Sequence, residues 1–184
     1  YSSGTTGNPK PIVHGHGGAL LEMMKFPLHN DVKPADTFMW LTASGWIMWN
    51  CQLAPLCAGA TLAIFDGAPN RPDMGELWRY AAETGTTYLG AGAAFFSASM
   101  KDGVIPREAA DLSALRWLDL SFNNIEKITG LEKLTKLTDL SLFNNRISDI
   151  QGLEACSALQ CLSLGNNSIA KLDDLVGLRP FKML

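Results

Sequence analysis

Leu137-Thr138-Asp139-Leu140-Ser141-Leu142-Phe143-Asn144-Asn145-Arg146-Ile147 reads as L-x-x-L-x-L-x-x-N-x-I, and the same string begins again at Leu115 and at Leu159. A further unit opens at Phe181, so a 22-residue period runs through the last third of the chain. In each copy two leucines flank one polar residue: Leu118 and Leu120, Leu140 and Leu142, Leu162 and Leu164. That alternation is the two-residue period of a short strand with one face buried. Asn123, Asn145 and Asn167 recur at the bend after each strand. A side-chain amide carries both donor and acceptor, so a column of them can bridge backbone groups of neighbouring turns. Ile125, Ile147 and Ile169, followed by Ile128, Ile150 and Leu172, fill the layer behind, and Leu131, Leu134, Leu153, Leu175 and Leu178 line the returning convex side.

The period identifies a leucine-rich-repeat coil. Through Leu118-Asp119-Leu120-Ser121-Phe122-Asn123-Asn124-Ile125 and residues 140–148 it resembles the leucine-rich subunit of the axonemal dynein regulatory complex. That resemblance implies protein binding and an axonemal or cytoskeletal association. Trp117, Asp119, Ser121, Phe122, Asp139, Ser141, Phe143, Cys161 and Ser163 point to the concave face. Among them Trp117, Asp119, Phe122, Asp139 and Phe143 are the candidate partner-binding residues, because aromatic side chains dominate interface energetics. The alternative for Trp117 and Phe122 is that they cover a junction with the preceding residues. Stacked repeats stabilise one another only through neighbours and need polar caps, so the C-terminal end is expected to expose an apolar edge.

Upstream the composition changes. Eight of nine prolines and thirteen of seventeen glycines lie within residues 1–116. Short apolar runs at Ile12–Val13, Phe38–Leu41, Thr61–Phe65 and Thr86–Leu89 are expected as strands. Helices are expected over Gly18–Phe26, ending before Pro27, near Trp46–Leu56, from Pro72 through Ala82, and over Ala93–Met100. Alternating strands and helices imply a parallel α/β sheet. The expected division is 1–114 and 115–184. A sheet continuous through Trp117–Leu120 marks one fused unit, and a break before it marks two.

Tyr1-Ser2-Ser3-Gly4-Thr5-Thr6-Gly7-Asn8-Pro9-Lys10 has the chemistry of a phosphate grip. Glycines let backbone N–H groups converge on one anion, hydroxyls add donors, and Lys10 adds a point charge. It is not a Walker A loop, because Asn8 and Pro9 separate Gly7 from the lysine. The string resembles the signature loop of the adenylate-forming superfamily. Ile12-Val13-His14, residues 28–34, Gly45-Trp46-Ile47-Met48-Trp49-Asn50, Asp66-Gly67 and residues 111–116 are similar to the acetoacetyl-CoA synthetase family in particular. The fold this implies is a partial parallel-sheet α/β subdomain of an adenylate-forming enzyme, followed by a short leucine-rich-repeat solenoid. The resemblance also implies an AMP-forming acid–thiol ligase. Such enzymes activate acetoacetate with ATP and Mg²⁺, then transfer the acyl group to CoA. Ser2, Ser3, Gly4, Thr5, Thr6, Gly7 and Lys10 would hold the leaving phosphates, and Trp46 and Trp49 would lie toward the acyl group.

Two departures qualify that expectation. Gly90-Ala91-Gly92-Ala93 stands where the family has Thr/Ser-Ala-Pro, and after Arg116 the repeat replaces the motifs for adenine, ribose, Mg²⁺ and the catalytic lysine. Catalysis by these residues alone is expected to be incomplete, since positioning supplies much of the rate. The opening loop without a preceding strand and the unfinished last repeat are expected of a piece of a longer protein. The alternative is a non-enzymatic leucine-rich interaction module whose N-terminal part serves as a cap.

Composition excludes several other classes. A net charge of −3 gives no electrostatic reason for nucleic acid or an anionic membrane. Thr37–Phe65 carries no charge, yet Ser44, Gly45, Asn50, Gln52, Pro55 and Gly59 interrupt it, so a buried strand–helix–strand is expected rather than a membrane span. His14 and His16 alternate but have no third ligand at matching spacing, so no metal site is expected. Cys51, Cys57, Cys156 and Cys161 form no C-x-x-C pair, as reduced cytoplasmic thiols would be.

Overall fold

The computed structural model describes residues 8, 11–170, 175, 177–178 and 181. Its elements in chain order are α1 (His16–His29), β1 (Thr37–Leu41), α2 (Ile47–Cys51), a 3₁₀ turn (Ala54–Ala58), β2 (Thr61–Leu62), α3 (Glu76–Glu83), β3 (Tyr88–Ala91), α4 (Ala93–Lys101), α5 (Pro106–Ala109), β4 (Trp117–Asp119), β5 (Asp139–Ser141) and β6 (Cys161–Ser163). All six strands join one parallel sheet in the order β2-β1-β3-β4-β5-β6. The α/β half and the repeats therefore share a single sheet.

Strand alternation sorts side chains to its two faces. Met39, Leu89 and Leu118 face α3 and α4, where Leu77, Trp78, Phe95 and Phe96 cover them. That layer continues without a break through Leu115, Leu137, Leu140, Ile147, Ile150 and Leu159 into the repeats. Phe38 and Tyr88 face the other way, into a smaller cluster with Val32, Ala60, Phe26, Trp40 and Trp117. The face that α1 covers on β1 thus becomes the concave face of the coil.

The junction reproduces the repeat's own strand entry. The carbonyl of Thr138 accepts the amides of Gln160 and Cys161, and that of Arg116 accepts those of Thr138 and Asp139. The carbonyl of Thr87 accepts those of Arg116 and Trp117 in the same way. Strand β3 stands where a preceding repeat would, pairing Tyr88 with Trp117 and Leu89 with Leu118. At the far edge, Leu162 and Leu164 are half-buried, whereas their counterparts Leu140 and Leu142 are buried.

Several element boundaries differ from expectation. Ile12–Val13 is exposed and forms no strand. Helix α1 runs through Pro27 to His29, and Asn30 ends it by donating both its backbone N–H and its Nδ2 to the Phe26 carbonyl. Helix α3 begins at Glu76 rather than Pro72, because Asp73 Oδ1 accepts the Gly75 N–H at 2.7 Å and turns the chain first. The Trp46–Leu56 segment divides into α2 and the 3₁₀ turn, and β2 stops at Leu62.

Candidate functional site

The sheet order fixes where a ligand can enter. From β1 the chain crosses to β2 on one side, and β3 then pairs with β1 on the other, so the connections diverge at β1/β3. In open parallel sheets such a divergence leaves a crevice beyond the carboxyl ends of the strands, where ligands bind. A crevice of about 490 Å³ lies there, lined by Leu41 at the end of β1, Thr42 and Ala43 after it, Asp66 and Gly67 after β2, and Gly92 after β3. Phe65, Pro69 and Phe95 supply apolar wall. Among the described residues, Asp66 carries the single charge of this lining, and no lysine or arginine lines it.

The phosphate-loop residues Ser2, Ser3, Gly4, Thr5, Thr6, Gly7 and Lys10 lie outside the described residues. Trp46 caps α2 just past the crevice, donating its backbone N–H to the carbonyl of Ala43 at 3.0 Å. Its side chain is exposed, whereas Trp49 is half-buried. Neither indole lines the crevice. Among the described residues no group of three His, Cys, Asp or Glu could hold a metal ion. Nor is any helix there long and apolar enough to cross a membrane.

Neither Thr42 nor Gly92 was named as a site residue from the sequence, although Gly92 stands in the Gly90–Ala93 departure. The signal that marks them is their position immediately after β1 and β3, which needs the sheet order to interpret. Gly90, part of the Gly-Ala-Gly-Ala departure, pairs with Trp40, and a Cβ built on it would run into the Trp40 ring. Packing against this indole accounts for that glycine.

The concave-face candidates separate into two groups. Trp117 packs on Tyr88 with ring centroids 6.2 Å apart and on Trp40 at 6.0 Å. Asp119 accepts the N–H of Ser121, Asp139 is half-buried, and Ser121 and Ser141 hydroxyls are 2.7 Å apart. Phe122 and Phe143 lie further along the turn, edge to face at 5.5 Å, with Phe122 63% exposed and Phe143 37%.

The asparagine column holds the turns together. Asn145 Nδ2 donates to Leu120 in the preceding turn and Leu142 in its own, while its Oδ1 accepts the N–H of Ile125. Asn167 repeats this one turn on, donating to Leu142 and Leu164 and accepting from Ile147. Asn123 has no earlier repeat, and the Ser97 hydroxyl on α4 lies 3.5 Å from its Oδ1.

Two family models match the chain, overlapping over residues 135–152. The AMP-binding enzyme family matches residues 1–152, and Leucine Rich repeats (2 copies) match residues 135–177. Acetoacetyl-coenzyme A synthetase of Rhizobium meliloti is 41% identical over 117 residues, covering 63% of this chain and 18% of that protein. The Mus musculus acetoacetyl-CoA synthetase is 38% identical over 116 residues, 62% of this chain and 17% of that one. The solved acetoacetyl-CoA synthetase from Streptomyces lividans is similar at a TM-score of 0.61 and 40% identity, over 73% of this chain and 21% of its own. The chain thus spans about a fifth of the length of these relatives.

Proposed function

Because this chain belongs to the AMP-binding enzyme family, we propose that its α/β half carries the phosphate-gripping and acyl-facing part of an acetoacetate–CoA ligase, without completing the reaction by itself. In this reading Ser2, Ser3, Gly4, Thr5, Thr6, Gly7 and Lys10 hold the phosphates of ATP, and the crevice at β1/β3 receives the acyl group, with Trp46 and Trp49 on the segment just past it rather than in its lining. Bound ATP with Mg²⁺ supplies the leaving pyrophosphate, and CoA is the acceptor.

The observation that carries the reading is the lining of the crevice. Leu41, Phe65 and Phe95 suit a small acyl group, while Asp66 is the sole charge among the described residues of the lining. Adenylation needs cationic groups that neutralise phosphate charge and fix the carboxylate in line with the α-phosphate. Beyond β3 the strands belong to repeats, whose Asn145 and Asn167 amides are committed to the backbone ladder.

Acetoacetate-dependent pyrophosphate release from ATP, Mg²⁺ and CoA tests this. The chain and its Lys10→Ala variant are expected to release the same background, while ATP binding weakens in the variant. Release that disappears with Lys10→Ala would overturn the incompleteness, and ATP binding indifferent to Lys10 would overturn the phosphate grip.

The exposed Phe122–Phe143 pair favours a second role. The concave face, with Trp117, Asp119, Phe122, Asp139 and Phe143 as contacts, binds a protein partner, and a cytoskeletal or axonemal partner fits the repeat pattern. The four cysteines are free, as a reducing, cytoplasmic setting requires.

A further inference from the structure

Between α4, α5 and the convex side of the first repeat lies a second cavity, of about 440 Å³. It is on the opposite face of β4 from Trp117, so it is separate from both the crevice and the concave face. Well-packed interiors leave few voids larger than a water molecule, whereas ligand sites occupy roughly 300–1,000 Å³. The wall is apolar: Phe96, Val104, Leu115, Leu118, Leu120 and Ile125 line it, with contributions from both sequence patterns. Deep in it, Ser99 Oγ already accepts the Trp78 indole N–H at 3.2 Å.

The rim has a different character. Arg107 and Glu132 lie across it as an ion pair at 2.8 Å and neutralise each other. Lys127 and Lys133 also line the opening, are exposed, and make no ion pair among the described residues. Lys133 is near enough to Asp111 for its charge to help hold that carboxyl below the usual carboxylate range, after the hydrogen bonds from Ser113. An apolar chamber entered past two cations that make no ion pair among the described residues is complementary to an amphiphile with one negative head.

We propose that this cavity binds a medium-chain alkyl carboxylate, its tail lying against Leu118, Leu120 and Phe96 and its carboxylate at Lys127 and Lys133. Each methylene taken out of water strengthens binding, so tail length governs affinity until the chamber is full. The Arg107–Glu132 pair borders the tail's entry and leaves the two lysines to the head group.

Isothermal titration of the full chain with octanoate, decanoate and dodecanoate below their micellar concentrations tests the proposal, with dodecyltrimethylammonium as the cationic counterpart. Saturable one-to-one binding is expected, rising about fourfold per added methylene while the tail still fits. Ala110→Trp, which fills the chamber from α5's end, is expected to weaken dodecanoate at least tenfold. Should that variant lose its near-ultraviolet circular dichroism, the surface pair Lys127→Glu with Lys133→Glu decides instead. It is expected to weaken dodecanoate and to strengthen the cation. Affinity that ignores tail length, survives both sets of substitutions, or is equal for cation and anion would overturn the assignment.

Discussion

Arg116 Nη1 donates to both carboxylate oxygens of Asp36, at 2.8 and 2.9 Å, across 80 positions of sequence. Asp36 is 3% exposed and also accepts the Lys33 N–H and the Thr87 hydroxyl. The guanidinium lies 5.9 Å from the centre of the Tyr88 ring. One residue of the first repeat unit thereby locks the loop ahead of β1 to the entry of β3.

Removing one member of a buried pair strands the other charge, at a cost of about 3–5 kcal/mol. Arg116 is partly exposed and Asp36 keeps two donors, so Arg116→Met is expected to cost about 2–3 kcal/mol in urea denaturation. Pairing it with Asp36→Asn should recover part of that loss. Additive single effects would show that the contact contributes no coupling.

Gly90 and Gly92 make a matched pair. A Cβ at Gly90 meets the Trp40 ring, whereas one at Gly92 meets nothing within 4 Å. Gly90→Ala is expected to cost about 1–3 kcal/mol and Gly92→Ala to be within about 0.5 kcal/mol of the parent. Trp40→Leu in the Gly90→Ala background should restore stability by making room. Equal effects at the two glycines would contradict this packing.

The repeat strands and the asparagine ladder were legible in the sequence because every contact recurs at a fixed spacing, as Asn145 and Asn167 show. Strands β1 and β3 were legible for the same local reason, their apolar runs, although β3 spans Tyr88–Ala91 rather than Thr86–Leu89. Asp36 was not, since nothing beside it announces an arginine 80 residues away. The crevice was half legible: Asp66-Gly67 stood in a recognised pattern, but Thr42 and Gly92 gain meaning only once β1 and β3 are neighbours. The end of α1 was misjudged because Asn30, not Pro27, satisfies the last carbonyl. Trp117 was assigned to the concave face with a cover for the junction as the alternative; its packing on Tyr88 and Trp40 makes it that cover, though neither partner could be named from the sequence.

Phe122 has φ of 59°, where the next two repeats place Asn144 at 55° and Asn166 at 57°. Asparagine tolerates that left-handed conformation and a bulky aromatic does not. Phe122→Asn removes strain and forfeits an exposed edge-to-face contact, for an expected net gain of about 0.5–1 kcal/mol. If the concave face binds a protein, Phe122→Asn and Phe143→Ser lose that partner in pull-downs while thermal stability is kept. Undiminished capture by both variants, and by Trp117→Leu, would place binding elsewhere.

Burial pushes the Cys156 thiol up from 9.0 to about 11, and burial also raises the Tyr88 phenol. Both groups hold their protons more tightly in the folded chain than in the unfolded one. Their contribution to stability is therefore complete below about pH 9 and is lost as pH climbs through the folded values. For Cys156 alone this loss is on the order of 2 kcal/mol by pH 11. Cys156→Ala should flatten part of the alkaline decline. At pH 8 a thiol reagent is expected to modify exposed Cys57 and Cys161 quickly and buried Cys156 only after unfolding.

The continuous sheet makes β3 the cap of the repeats, with Leu89 and Leu118 in one core that reaches Leu159. Residue-resolved amide exchange in increasing urea tests that relationship most directly, following Leu89 in β3, Leu118 in β4 and Leu140 in β5. One shared opening free energy and one urea dependence for all three strands are expected. Strands β4 and β5 opening at lower urea than β3, or staying protected after β3 has opened, would contradict it.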